Sequence, residues 1–160
     1  MRSCASARTN ITGPVTSTEL EDSRWLAAAA SLAARARPLS RPNPAVGALI
    51  VREGAVVGRG WTGKGGRPHA ETEALKRAGR GKARGATLYT TGEPCPMCMG
   101  AIVWCELGRV VYAASVEELS KHVGQIMITS RALAKATPFV DIEITGDVLA
   151  PEALALFSRK

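Results

Sequence analysis

Residues that bind metals and carry protons occur in two short segments of this sequence. His69 is followed two positions later by Glu71, and Cys95 and Cys98 stand three positions apart in the segment PCPMC. A catalytic zinc ion takes three protein ligands from cysteine, histidine or carboxylate and keeps a fourth position for water. His69, Cys95 and Cys98 supply such a set, so the spacing predicts a catalytic site with Zn2+ as its cofactor.

The positions of these residues also predict which of them bind the metal and which one transfers protons. Cys95 and Cys98 lie at the opening of a predicted helix, where both sulfurs share one face and the positive helix end favours thiolates. A zinc ion lowers the pKa of a bound water molecule from about 15.7 toward about 7. Glu71 can accept a proton from that water and return it to a leaving amine. We therefore expect Glu71 to be the catalytic proton carrier.

Other interpretations of the same residues stay open. A Cys-x-x-Cys pair also occurs in redox proteins and in structural zinc sites, but a structural site needs a fourth ligand. The only other histidine, His122, lies in a different segment. Cys105 lacks ligand spacing and is expected to be a buried thiol. A non-catalytic, zinc-stabilised binding module would keep the ligands and tolerate loss of Glu71.

The composition is that of one ordinary globular domain. The chain has 160 residues, of which 46% are hydrophobic and 22% charged, so it can bury a core without disulfides. It has no run of about 18 apolar residues, and we expect no membrane span. Thiol ligands favour a reducing compartment, and we expect a cytoplasmic protein. The net charge of +7 suits RNA as a partner, but a solvated basic loop explains it equally well.

The elements that must hold these residues follow from hydrophobic periodicity. Residues 1–17 have no period and are expected to be a disordered leader before a zinc-dependent domain over 18–160. Thr18 and Glu21 predict a capping box for the first helix, and Pro38 predicts its end. Helices are predicted over 19–37, 69–78, 95–104, 116–122, 130–136 and 151–157, and strands over 45–51, 55–61, 86–91, 109–114 and 140–145.

The order of these elements predicts an α/β fold. A short turn joins the first two strands into an antiparallel hairpin, and both strands are expected to be buried. Helices between the third, fourth and fifth strands imply parallel pairing through right-handed crossovers. We expect a three-layer αβα sandwich around a mixed five-stranded sheet, with an antiparallel opening hairpin and parallel later strands.

The motif residues resemble the cytidine deaminase superfamily, the zinc-dependent deaminases of nucleobases and nucleosides, in which H-x-E is followed by P-C-x-x-C. The segments PCPMCMGAIVW and VVYAAS are similar to bacterial guanine deaminases and tRNA adenosine deaminases. The segments RPNPAVG and GRPHAE resemble the deaminase domain of the riboflavin-pathway deaminase-reductase. The resemblance implies a homodimer and the metal and proton-shuttle roles given above. It also implies substrate contacts by Asn43, Ala70 and Trp104, although Asn43 could be only a turn residue and Trp104 only a core aromatic.

The resemblance implies hydrolytic conversion of an exocyclic amine to a carbonyl on a small nitrogen heterocycle, which is the expected partner. Two features bear on its identity. Only two residues separate Cys95 from Cys98, where the riboflavin enzymes carry a longer insert, and no reductase domain follows in this sequence. Residues 120–125 contain no carboxylate, where guanine deaminases carry an acidic pair. We therefore expect a nucleobase, nucleoside or similar ring, with a tRNA wobble adenosine as the alternative and a riboflavin-pathway pyrimidine as a further one.

Overall fold

The computed structural model describes residues 13–158 of the chain. This part contains seven α-helices and five strands. The helices are α1 (Ser17–Ser40), α2 (Ala70–Ala78), α3 (Arg80–Ala83), α4 (Pro96–Trp104), α5 (Val116–Ser120), α6 (Ser130–Lys135) and α7 (Ala150–Leu154). The strands are β1 (Gly47–Arg52), β2 (Ala55–Trp61), β3 (Thr87–Gly92), β4 (Arg109–Ala114) and β5 (Glu143–Thr145), and a 3-10 turn spans Lys64–Gly66.

The strands form one mixed sheet in the order β2-β1-β3-β4-β5. Strand β1 pairs antiparallel with both β2 and β3, whereas β4 pairs parallel with β3 and with β5. The predicted mixed sheet, with its opening hairpin and its parallel later strands, is therefore confirmed.

Helices cover both faces of the sheet. Successive side chains of a strand point to opposite faces, and in β1 both sets are apolar and need a covering layer. On one face, Ile50 packs in a buried cluster with residues of α2 and α4, among them Ala74 and Ile102. On the other face, Leu49 packs with Trp25 of α1 and with residues of the C-terminal segment. These two apolar layers confirm the predicted αβα sandwich.

The first helix differs from its prediction at both ends. It begins at Ser17, and its capping box joins Thr16 to Glu19, so the predicted pair of Thr18 and Glu21 is wrong. Pro38 lies inside the helix, which continues to Ser40. A proline inside a helix removes one backbone donor and crowds the preceding turn, but α1 keeps its last turn, in which Ser40 is buried.

Several other expectations also need correction. Strand β2 is an edge strand with exposed residues, so the prediction that both hairpin strands are buried is wrong for β2. The predicted break after α2 contains the short helix α3, and β5 covers only the end of the predicted range. The leader predicted over 1–17 falls mostly outside the described residues. None of the helices within residues 13–158 combines the length and the apolar composition needed to cross a membrane.

Candidate metal and catalytic site

Helix α2, which carries part of the site, lies against β2 at a distance that glycine permits. A Cβ atom added to Gly60 would overlap the carbonyl oxygen of Ala70, and one added to Gly58 would overlap that of Ala74. The first turn of α2 therefore rests directly on the edge of the sheet. Ala70 and Glu71, both in this turn, are buried there.

The starts of α2 and α4 meet at one place. His69 is the N-cap residue of α2, and Cys95 is the N-cap residue of α4, with Pro96 in the first helical turn. Neither side chain makes a capping hydrogen bond to its own helix. Both are therefore available to a ligand, and the positive ends of two helices favour anionic sulfur there.

The three predicted ligands converge with distances that fit zinc. Their donor atoms all lie within 4.8 Å of one another. The Nδ1 atom of His69 is 3.7 Å from Sγ of Cys95 and 3.4 Å from Sγ of Cys98. Tetrahedral zinc with bonds of about 2.3 Å to sulfur and about 2.05 Å to nitrogen would separate these atoms by about 3.6 Å. The residues present therefore fit a zinc ion without rearrangement.

Glu71 stands beside the ligand group and is buried, with 4% of its surface exposed. Its Oε1 atom accepts a hydrogen bond of 3.3 Å from the hydroxyl of Thr90, and its Oε2 atom accepts one of 3.6 Å from the thiol of Cys98. Burial raises the pKa of Glu71 above its ordinary value, because desolvation disfavours the carboxylate. The positive charge of a zinc ion would oppose this shift.

The two thiols differ in acidity. The pKa of Cys95 is lowered to about 4, first by a hydrogen bond with Cys98 and further by His69. The pKa of Cys98 is raised, because it is the donor of this pair and is buried. The pKa of His69 is raised, chiefly by its hydrogen bond with Cys95. Metal binding needs two thiolates and a neutral imidazole, so zinc uptake would release protons.

A cavity of about 420 Å³ opens beside these groups. Glu71 and Ala70 lie on its wall, as does Asn43 from the loop between α1 and β1. Gly66 has a positive φ of 88°, and a Cβ atom on it would overlap the side chain of Asn43. This glycine therefore lets the loop before His69 lie directly against Asn43.

Of the residues predicted to contact substrate, Asn43 and Ala70 line the cavity and Trp104 does not. Trp104 ends α4, is 67% exposed and packs against Phe139 with ring centroids 5.0 Å apart. Within one chain it is a surface residue, and its substrate role stays a prediction. Cys105 follows it and is half-buried, so the expectation of a fully buried thiol is wrong; it is not among the converging ligands.

Sequence reasoning missed Glu93, a buried carboxylate on the cavity wall. Its Oε2 atom accepts a hydrogen bond of 2.7 Å from the backbone of Val116, and its Oε1 atom accepts bonds of 2.8 and 2.7 Å from the backbone and hydroxyl of Ser130. Both oxygens therefore hold the starts of α5 and α6, which flank the segment that closes one side of the cavity. The sequence feature that could have pointed to Glu93 is its position two residues before the ligand Cys95.

Thr62 was also missed. It follows β2, is buried and lines the cavity. Its hydroxyl accepts a hydrogen bond of 2.8 Å from the backbone of Val46, which ties the end of β2 to the start of β1 at the edge of the site.

This fold and ligand set define a zinc-binding deaminase domain. Residues 20–114 match the family described as the cytidine and deoxycytidylate deaminase zinc-binding region. The chain belongs to this family, as its motifs predicted. The match contains every residue assigned above to the metal and to proton transfer.

Relatives named for riboflavin biosynthesis are similar to this chain. It is 47% identical over 98 residues to the riboflavin biosynthesis protein RibD of Aquifex aeolicus, an alignment that covers 58% of this chain and 27% of the relative. It is 37% identical over 101 residues to a diaminohydroxyphosphoribosylamino-pyrimidine deaminase of Buchnera aphidicola, covering 59% of this chain and 68% of that protein. The chain thus spans about a quarter of the longer relative and two thirds of the shorter one.

Solved structures show the same fold. RibD of Acinetobacter baumannii is 32% identical with a TM-score of 0.72, covering 88% of this chain and 39% of that chain. A guanine deaminase from Nitrosomonas europaea has 19% identity and a TM-score of 0.69, covering 89% of this chain and 91% of that chain. A tRNA A34 deaminase has 24% identity and a TM-score of 0.64, covering 83% and 98%. The similarities to the guanine deaminase and the tRNA deaminase, at 19% and 24% identity, show a shared fold only.

Proposed function

We propose that this chain is a zinc-dependent hydrolytic deaminase whose substrate is the diaminohydroxypyrimidine with a phosphoribosylamino arm named by its relatives. The observation that carries the reaction type is the convergence of His69, Cys95 and Cys98 beside the buried carboxyl group of Glu71. The substrate assignment rests on the similarity to the riboflavin biosynthesis proteins. Sequence reasoning alone ranked this pyrimidine below other rings, because the insert between the cysteines is absent.

The reaction exchanges an amine for a carbonyl oxygen. One water molecule and one ring carbon bearing an amino group give one C=O group and one ammonia molecule. When bound, zinc supplies the Lewis acidity that makes a water molecule reactive near neutral pH. His69, Cys95 and Cys98 would hold the ion, and the remaining chemistry is proton transfer by the protein.

Glu71 moves two protons in each turnover. It accepts one from water as the oxygen attacks and gives it to the neighbouring ring nitrogen. It then takes the second from the newly added hydroxyl group, which becomes the carbonyl oxygen, and gives it to the leaving amine. Oε1 is engaged by the hydroxyl of Thr90. With zinc bound, Cys98 would be a thiolate and would no longer donate to Oε2, so we assign proton transfer to Oε2.

The size of the cavity is consistent with binding of a small heterocycle. Its volume of about 420 Å³ lies within the range usual for small-molecule sites. The two carboxyl groups on its wall differ in availability. Glu93 already accepts three hydrogen bonds from the protein, whereas Glu71 accepts from side chains at the metal site. Only Glu71 is placed to exchange protons with a substrate.

A substrate panel tests this proposal. Zinc-loaded protein would be assayed for ammonia release from the diaminohydroxypyrimidine phosphoribosylamine, guanine, cytidine and a tRNA anticodon hairpin. We expect the pyrimidine to have the highest kcat/KM. Preference for guanine or for the hairpin would replace the substrate assignment while keeping the reaction type, and release from none of the panel would overturn both.

We also propose that the chain forms a homodimer and works in the cytoplasm. Helix α4 exposes apolar side chains at Met97 and Trp104, which are 51% and 67% exposed, and Phe139 beside it is 52% exposed. Exposed apolar groups of this kind mark interfaces between subunits. A reducing compartment keeps the ligand thiols free of disulfides.

A further inference from the structure

A second cavity, of about 480 Å³, adjoins the one beside the metal site. Asn43, Pro44, Val123 and Phe157 line both cavities. The two spaces are therefore neighbours that share one wall. A ligand whose ring lies beside Glu71 would have to pass Asn43 to reach the second cavity.

The two cavities differ in their charged groups. The first is lined by the carboxyl groups of Glu71 and Glu93 and also by Arg67. The second is lined by the guanidinium groups of Arg37 and Arg41, and no acidic side chain of residues 13–158 lines it. A low-dielectric cleft lined by one sign of charge attracts ligands of the other sign, so the second cavity suits an anion.

Arg37 is held in position for such a ligand. It is half-buried near the end of α1, and its Nη2 atom donates a hydrogen bond of 2.7 Å to the carbonyl oxygen of Ser158. This bond uses one of its five N–H donors and reduces the side-chain freedom that binding would remove. No ion pair between Arg37 and an acidic side chain occurs in the described part of the chain.

We propose that the second cavity binds a phosphate monoester at the end of the substrate, with Arg37 and Arg41 as its ligands. This inference rests on the proposed function and deepens it, because it assigns the phosphate-bearing arm of the substrate to two named side chains of this protein. Guanidinium groups match phosphate oxygens in charge and in geometry. Asn43 lies at the junction and would contact the part of the ligand between ring and phosphate.

The size of the cavity favours a small molecule over a polynucleotide. Concave sites of a few hundred cubic ångströms bury small ligands, whereas a nucleic-acid strand is bound along an extended basic groove. Leu156 and Phe157 also line this cavity and limit its extent. One phosphate group with its sugar fits this description.

The test compares the phosphorylated pyrimidine with its dephosphorylated counterpart on the zinc-loaded protein. We expect the wild type to prefer the phosphorylated compound by about 100-fold or more in kcat/KM, and Arg37→Ala and Arg41→Ala each to reduce this preference by about tenfold or more. Arg35→Ala is the matched control. It removes the same charge from an exposed position of α1 that lines neither cavity, and it should keep the wild-type preference.

A binding measurement separates this inference from the proposed function. Ribose 5-phosphate and inorganic phosphate would be titrated calorimetrically into the same four proteins. Weaker binding of ribose 5-phosphate in both arginine variants supports the site even if the pyrimidine is not a substrate. An unchanged preference or unchanged binding in Arg41→Ala, which leaves the bond to Ser158 intact, would overturn it, as would equal losses in Arg35→Ala. Binding of inorganic phosphate without ribose 5-phosphate would also contradict a sugar-phosphate site.

Discussion

Replacing Glu71 by glutamine should nearly abolish turnover while leaving the fold and the metal in place. Glutamine keeps the size of the side chain and an acceptor for the hydroxyl of Thr90, which donates to Oε1 over 3.3 Å. It cannot accept a proton. Because Glu71 carries two protons in each cycle, the loss should lie near the upper end of the usual ~10²- to 10⁴-fold range for general acid–base catalysis.

The magnitude can be expressed as an activation energy. A 10⁴-fold loss corresponds to about 5.5 kcal/mol in the transition state. The stability of the fold should not fall with the activity, since Glu71 is only 4% exposed and burial already raises the pKa of its carboxyl group. A neutral amide suits that environment, whereas zinc would favour the carboxylate, so we expect the Tm of zinc-loaded Glu71→Gln to stay close to that of the wild type.

The assay measures ammonia release, zinc content and Tm on the same preparations, with Glu73→Gln as the control. Glu73 lies two positions further along α2, pairs with Arg77 over 3.6 Å and does not line the cavity. Its variant should stay within a few-fold of wild-type activity. Equal damage from both substitutions, or wild-type activity in Glu71→Gln, would refute the proton-carrier role. Loss of zinc in Glu71→Gln would show that the residue acts on the metal instead.

Three further predictions concern the metal, the core and the assembly. Cys98→Ala should lose zinc and lower Tm, whereas Cys105→Ala should retain one zinc per chain by elemental analysis. Asp22→Ala should destabilise the chain by about 3 kcal/mol in denaturant unfolding, because Arg109 binds both Asp22 oxygens at 2.7 Å in a mostly buried pair. Glu143→Ala, at an exposed carboxylate, should cost less than about 1 kcal/mol. Sedimentation should show a dimer of the 16.8 kDa chain.

Each of these has an opposing outcome. A metal-free Cys105 variant would contradict the ligand assignment. Equal destabilisation by the Asp22 and Glu143 substitutions would show that burial does not govern the ion pairs of Arg109. A species of only 16.8 kDa at micromolar concentration would contradict the dimer.

Short-range spacing was enough to predict much of the site. His69 and Glu71 belong to one helix start, and Cys95 and Cys98 to another, so their relative placement is set by helix geometry. The strands were found because buried runs with helices between them have few arrangements as a sheet. These features depend on neighbours in the sequence, and the structure agrees with them.

Features that depend on distant partners could not be predicted in this way. Glu93 is held by backbone groups at Val116 and Ser130, and no local pattern connects these positions. Helix α1 continues past Pro38 to the buried Ser40, although proline ordinarily predicts the end of a helix. The second cavity likewise depends on distant segments, because its lining comes from the end of α1 and the loop after it, from His122 and Val123, and from residues 156–158.

The most direct test of the proposed reaction is turnover of the pyrimidine substrate in water enriched in oxygen-18, with the product analysed by mass spectrometry. Hydrolytic deamination predicts one oxygen-18 atom at the new carbonyl and one ammonia molecule for each product formed. Ammonia release without isotope in the product, or a product that keeps its amino group, would contradict the central claim that this site exchanges an amine for an oxygen from water.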